Sequence, residues 1–278
     1  MKKFGIFLNP HNAEKEKIFN LLKDLHFKYH LNLISLCKKD VILPDFISKN
    51  CDASPDIILV FGGDGTILRA KSFSIKYNAP MLGINTGNLG FLSEIAPDEL
   101  GKSIEYLLNG KYKVQSRMML KVYVKRDKEK IPLDDALNDV VIYKGVTPKL
   151  IDISLYSNGR SVVETRCDGL ILSTPTGSTA YSLSAGGPIL SPIMDAIVAA
   201  PLNPHVLTVR PMVFSSKDVL SVKVNPQSLI QIDGQNSFEL KNGDKLFATA
   251  SEKRVNFVKL GNRTFFQILR KKLHMGKK

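Results

Sequence analysis

The chain has 278 residues, 44% apolar and 23% charged, with a formal net charge of +13, enough apolar material for one large or two ordinary globular domains. No stretch approaches the ~18 apolar residues of a spanning helix, and the run Phe4 to Leu8 stops at Asn9-Pro10, too short for a signal peptide, so a cytoplasmic protein without a membrane partner is expected. Cys37, Cys51 and Cys167 are scattered and lack a CxxC pair, which argues against a disulfide framework or zinc site; the positive charge suits anionic ligands, but with no arginine-rich helix, zinc spacing or RNA-binding aromatic motif no nucleic-acid partner is expected.

The first ~110 residues alternate strand and helix patterns. Phe4 to Leu8 reads as a strand and Ala13 to Tyr29 as a helix, with Ile18, Leu21, Leu22 and Leu25 at helical spacing. Leu31 to Leu36 is a second strand, and Asp56 to Phe61 a third, apolar on both faces as in a buried parallel sheet. Thr66 to Tyr77 follows as a helix, Met81 to Ile84 as a strand, and Pro97 to Asn109 as a helix opened by proline. This alternation predicts a Rossmann-like parallel α/β domain.

The pattern changes near Lys111. Met119 to Val124, Val140 to Tyr143, Ile151 to Tyr156, Gly169 to Ser173, Val219 to Val224, Leu229 to Ile232 and Lys245 to Thr249 read as short strands, with a hairpin turn at Asn158-Gly159. A β-sandwich is expected over 112–261, with one short helix at Ser178 to Ala185. Thr264 to Leu273 reads as an amphipathic helix that returns to the first domain, which is thus expected to comprise 1–111 and 262–278.

Three segments carry candidate chemistry. Gly62-Gly63-Asp64-Gly65-Thr66 follows a buried strand. Its glycines let backbone N–H groups approach a phosphate, at the strand end where α/β sheets bind ligands. A helix starting near Thr66 would point its positive end at an anion. A carboxylate there makes sense as a general base or a Mg²⁺ ligand; the plainer reading is a tight turn with Asp64 as helix cap. Asn85-Thr86-Gly87-Asn88-Leu89-Gly90 has only the last two glycines of a GxGxxG fingerprint and is weak evidence. The segment from Asp168 to Pro188 packs hydroxyls, glycines and backbone donors into a loop-to-helix stretch that could hold ribose, phosphate and adenine, with Asp168 as a hydroxyl acceptor and Tyr181 as an aromatic face.

Together these residues resemble the NAD kinase family. The matching strings are Gly62 to Thr66, Gly83 to Leu92, Ala136-Leu137-Asn138-Asp139 and Asp168 to Pro188, in the family's order. The first is shared with diacylglycerol kinase-like lipid kinases; Ser173 to Gly187 is far more specific. The resemblance implies an α/β domain, a β-sandwich and a site between them. It also implies ATP- and metal-dependent phosphorylation of the adenosine ribose 2′-hydroxyl of NAD, with Mg²⁺ the expected cation and polyphosphate an alternative donor. Asp64 matches the catalytic acid and Gly65 its neighbour, with Gly62, Gly63, Gly65 and Thr66 as the donor loop and Arg69 among the nucleotide-binding residues. Asn138-Asp139 matches a pair contacting the dinucleotide, Arg166 and Asp168 match positions lining the site, and Thr179, Ala180, Tyr181, Ser182, Leu183 and Ser184 match the segment holding adenine and phosphate. Lys149, Asn203 and Gln235 are weaker assignments. The family's habit implies a homodimer or homotetramer. A lipid kinase and a non-catalytic nucleotide-binding module are the alternatives.

Overall fold

Ile57–Phe61 (β3) is buried at all five residues, which requires sheet neighbours on both edges and packing on both faces. The computed structural model, described over residues 2–9, 14–36, 43–49, 53–87, 90–145, 149–235, 237–261 and 263–276, supplies them. β3 pairs in parallel with β1 (Lys3–Leu8) and β4 (Met81–Ile84), and β2 (Asn32–Ser35) pairs in parallel with β1. Beyond β4 the end of β16 (Lys245–Lys259) joins through Phe257 opposite Met81. Helix α1 (Lys15–Tyr29) buries Ile18, Leu22 and Leu25 of the stripe its periodicity predicts, adds Phe19, and leaves Leu21 half-buried. It shares a core with Phe4, Ile6, Leu59 and Phe61, and with α3 (Leu100–Leu108) through Leu100, Ile104 and Leu107. The expected helix from Pro97 divides into a 3-10 turn, Pro97–Glu99, followed by α3. Ala13, Cys37, Cys51, Asn88, Leu89, Asn262, Lys277 and Lys278 lie outside the described residues.

The chain divides into two compact units, Met1–Ser116 with Val255–Lys278, and Arg117–Arg254. The divisions fall inside strands β5 (Lys113–Arg126) and β16, a few residues from the bounds expected at 111 and 262. The second unit is a sandwich. One sheet runs β12 (Met212–Ser215), β11 (Ala196–Leu202), β10 (Gly169–Ser173), β7 (Asp139–Tyr143), β14 (Ser228–Ile232), β15 (Ser237–Leu240), antiparallel throughout. The other contains β6 (Glu129–Pro132), β5, β16, β13 (Leu220–Asn225), β8 (Ile151–Ser157) and β9 (Arg160–Cys167). Val140, Ile142, Leu170 and Leu172 of the first face Val122, Leu155, Val222 and Leu246 of the second in one core. Cys167 closes that core as a free thiol, and burial pushes its pKa up to about 11.

Of the differences from expectation, three have a local cause. β16 is three times as long as its predicted strand, because the chain continues in extended form through Ser251–Arg254 although those side chains are polar. β11 contains Pro201, which argues against an interior strand; its neighbour β12 pairs only as far as Ala199, so no ladder bond is demanded of Pro201 on that side. The helix expected over Ser178 to Ala185 splits into a 3-10 turn, Gly177–Thr179, and a single α-turn, α4 (Tyr181–Ser184), because Ala180 leaves helical geometry at φ −99°, ψ −132°.

Candidate functional site

The candidate residues form two groups, one in each unit. In the first, helix α2 (Asp64–Tyr77) starts at Asp64, two residues before its predicted start, with Gly63 as its cap. Asp64 therefore does not cap its own helix. Its half-buried carboxylate reaches the loop after β4, where Phe91 N–H donates to Oδ2 at 2.8 Å and Leu92 N–H to Oδ1 at 3.0 Å. The loop is held in turn by Glu94, which is 2% exposed and accepts from Leu260 N–H at 2.9 Å and Lys259 Nζ at 2.5 Å. Phe91 lies against Phe265 of α5 (Phe265–Leu273) at 6.4 Å between ring centroids, so the C-terminal helix supports the residue that holds the acid.

The glycines of this turn differ in role. A Cβ on Gly62, at φ +156°, would stand 2.4 Å from Thr66 Oγ1, so the fold itself demands glycine there. Among the described residues, a Cβ on Gly63 or Gly65 would meet no atom within 4 Å beyond its chain neighbours and the backbone of α2. Space is left in front of the first turn of α2, where unsatisfied N–H groups and the helix dipole favour an anion. Arg69, exposed, donates to Thr66 Oγ1 at 3.2 Å.

In the second unit Asn138-Asp139 enters β7 beside the 173–178 loop. Asn138 C=O accepts from Thr174 N–H at 2.8 Å and Ser173 Oγ at 3.2 Å. Thr174 Oγ1 donates to Leu137 C=O at 2.6 Å and accepts from Gly177 N–H at 3.1 Å. A Cβ on Gly177 would stand 2.1 Å from Asn138 O, so this approach requires glycine. Asp233, which sequence reasoning missed, is the organiser. Its buried carboxylate accepts three backbone N–H bonds, from Leu137 at 2.9 Å, Asn138 at 2.7 Å and Asp139 at 3.2 Å. Its signal was the Asp-Gly turn: Asp233 and Gly234 both take positive φ, 49° and 66°.

A second cluster gathers at the start of β10. Asp168 pairs with Lys144 Nζ at 2.7 Å and accepts from Asn203 Nδ2 at 2.9 Å. The Lys144 hydrogen bond and then that of Asn203 hold its carboxyl below the usual range. Lys144 had no motif to mark it. Thr179 and Ala180 are half-buried, Tyr181 is 49% exposed, and Ser182 is buried with Oγ lacking a hydrogen-bond partner among the described residues. Leu183 is half-buried and Ser184 exposed. Arg166 turns to Asp152 at 2.7 Å, both exposed, and is not drawn into the Asp168 cluster. Gln235 is exposed beyond Asp233, and Lys149 is exposed with no partner in this group. Among the described residues no three His, Cys, Asp or Glu side chains are placed to hold a metal together. Mg²⁺ does not require such a cage, since one carboxylate plus substrate phosphates and water suffice, and Asp64 offers that carboxylate.

Two family models match the chain: the ATP-NAD kinase N-terminal domain over residues 7–112 and the ATP-NAD kinase C-terminal domain over 137–260. An NAD kinase of Azotobacter vinelandii is 42% identical over 225 residues, 80% of this chain and 76% of that protein. One of Pseudomonas putida is 41% identical over 227 residues with the same coverage. Among solved structures, yeast NADH kinase complexed with NADH superposes with a TM-score of 0.86 at 25% identity, covering 100% of this chain and 89% of that one. An NAD kinase from Archaeoglobus fulgidus in complex with ATP gives 0.75 at 26%, covering 98% of each. Neither the lipid-kinase nor the non-catalytic alternative finds support in these matches. With both domains matched in order, the chain belongs to the NAD kinase family, a family of phosphotransferases.

Proposed function

We propose that this NAD kinase-family phosphotransferase moves the γ-phosphoryl group of ATP directly to the 2′-hydroxyl of the adenosine ribose of NAD, with Asp64 receiving the hydroxyl proton. The observation that carries this reading is the fixing of the Asp64 carboxylate by the Phe91 and Leu92 N–H groups. Each oxygen spends one acceptor site on the backbone and keeps capacity for a second partner. The acid is thus oriented before substrate arrives, which is where positioning contributes most.

The open space over Gly63 and Gly65 suits the phosphate chain, with the first N–H groups of α2 as donors. Mg²⁺, when bound, would offset charge on the phosphate oxygens in a loose transition state; Asp64 is the residue that would hold it. Asn138, Asp139, Asp168 and the Thr179–Ser184 segment form the dinucleotide grip in this reading, with the Asp168 carboxylate ionised by its Lys144 partner and able to accept from a hydroxyl. The exposed ring of Tyr181 offers a flat face to a base. Polyphosphate in place of ATP, a homodimeric or homotetrameric state and a cytoplasmic location remain part of the proposal on the strength of the family resemblance.

The test is Asp64→Asn, assayed for NADP formation from NAD and ATP-Mg²⁺, with NAD binding followed by calorimetry. Turnover should fall about 10²–10⁴-fold, the usual contribution of a general base, while NAD still binds. Near-native turnover would overturn the role given to Asp64.

A further inference from the structure

The outer face of the second unit's β5–β16–β13–β8 sheet carries two parallel rows of side chains. The first is aromatic: Tyr123 and Phe247 stack at 4.9 Å with an interplanar angle of 1°, and Tyr156 follows across Ser221, which lies opposite both Phe247 and Tyr156. The second is cationic. Lys125 lies directly opposite Lys130, and Lys223 directly opposite Lys245.

Like charges in directly opposed positions are destabilising in a sheet, and among the described residues no carboxylate pairs with these. None of the four lysines has a salt bridge among the described residues. Asp152 and Asp244, which share a cleft with Lys223, are each held by an arginine, Arg166 and Arg126. The ammonium groups instead lie over the rings: Lys130 at 4.1 Å from Tyr123, Lys125 at 5.1 Å from Phe247, and Lys245 at 4.6 Å from Tyr156. Burial, with Lys223 and Lys125 nearby, pulls the Lys245 pKa down, as expected of an uncompensated cation.

A face that keeps its cations unpaired beside aromatic rings is matched to a ligand carrying phosphates along one edge and flat bases along the other. We propose that this sheet face binds single-stranded nucleic acid, the lysine row following the backbone and the aromatic row stacking bases. Duplex keeps its bases stacked inside and offers the rings nothing. A second copy of this chain across a two-fold axis would bring the same lysines face to face. The residues come from strands scattered between positions 123 and 247, so no linear motif announces them. The expectation of no nucleic-acid partner rested on the absence of such a motif.

The experiment measures binding of fluorescently labelled U20 by anisotropy across a salt series, beside duplex of equal length and inorganic polyphosphate. U20 should bind with a Kd of about 10⁻⁴–10⁻⁶ M, with a log–log salt slope near about −3, as ~0.7 per neutralised phosphate predicts for four lysines. Lys223→Gln with Lys245→Gln should roughly halve that slope, and Tyr156→Ser should weaken U20 about tenfold. Neither change should slow NADP formation, which also reports that the variants fold. Absence of U20 binding at low salt overturns the proposal. So does binding lost on Lys271→Gln with Lys272→Gln but not on the sheet variants, which would place it on α5. Duplex binding as tight as U20, or polyphosphate binding that falls with Lys223→Gln and Lys245→Gln as U20 binding does, with Tyr156→Ser silent, would show a surface that reads charge alone and would equally overturn it.

Discussion

Gly90 lies so close to Asp64 that a Cβ there would stand 1.9 Å from the Asp64 Oδ1. The glycine is what lets the loop after β4 bring the N–H groups of Phe91 and Leu92 to both carboxylate oxygens. Gly90→Ala should therefore push the carboxylate off its bonds while leaving the acid and the fold in place. A displacement of this size costs about 10²-fold in rate when the displaced group positions the reaction. Steady-state NADP formation should fall by that factor with the thermal midpoint nearly unchanged. Full activity in a folded Gly90→Ala variant would mean that the orientation of Asp64 does not matter.

Asp233 and the Leu137–Asp139 backbone give a stability prediction in the other unit. Asp233→Ala removes the acceptor of three N–H groups in a buried site. A stranded donor costs roughly 1–3 kcal/mol, so a net loss of about 3 kcal/mol is expected in denaturant unfolding. The positive φ of 49° adds strain for alanine. Asp233→Asn keeps a carbonyl oxygen and tolerates that backbone, so its loss should be nearer about 1 kcal/mol. Equal effects from the two substitutions would show that the carboxylate does not organise the turn.

The sequence was most legible where local pattern and tertiary demand agree. Met81–Ile84 and Gly169–Ser173 take their predicted bounds, because each is a short apolar run closed by glycine or polar residues and buried throughout. Legibility failed where tertiary pairing overrides local composition, as at polar Ser251–Arg254 in β16 or Pro201 in β11. The same boundary runs through the site. The Gly62–Thr66 turn is visible because its chemistry is contiguous. The bond from Phe91 to Asp64 spans 27 positions and that from Leu137 to Asp233 spans 96. Long-range contacts of this kind, and the ion pair of Lys144 with Asp168, carry no local periodicity, and so neither Asp233 nor Lys144 stands out in the sequence.

Lys144 and Asp168 give a pH-dependent prediction. Their pairing, with Asn203, lowers the Asp168 pKa below its ordinary 3.8 in the folded chain. A carboxyl depressed by folding contributes stability that is whole above the unfolded value and lost as pH falls through the folded one. Lys144→Met should thus move the Asp168 carboxyl midpoint, followed by NMR, upward toward 3.8, and should remove part of the acid sensitivity of unfolding below that pH. Both side chains are 29% exposed, so the effect at neutral pH should stay under about 1 kcal/mol. A midpoint unmoved by Lys144→Met would assign the depression to Asn203 alone.

Gly62 and Gly65 separate what the fold needs from what a ligand needs. Gly62→Ala forces a Cβ to 2.4 Å from Thr66 Oγ1 in a backbone conformation alanine resists, and should destabilise by about 1–3 kcal/mol. Gly65 sits in the first turn of α2, exposed, with open space where a Cβ would go. Alanine there relieves the entropy cost of glycine in a helix and should stabilise by up to about 0.5–1 kcal/mol. If the open space is where the phosphate chain lies, the same methyl obstructs it, and kcat/KM for ATP should drop about tenfold, equivalent to roughly 1.4 kcal/mol. Thermal unfolding and NADP formation measured on the same Gly65→Ala preparation should therefore move in opposite directions. A variant that gains stability and keeps its kcat/KM would show that the phosphates do not pass over this turn, and would shift the donor site away from the start of α2.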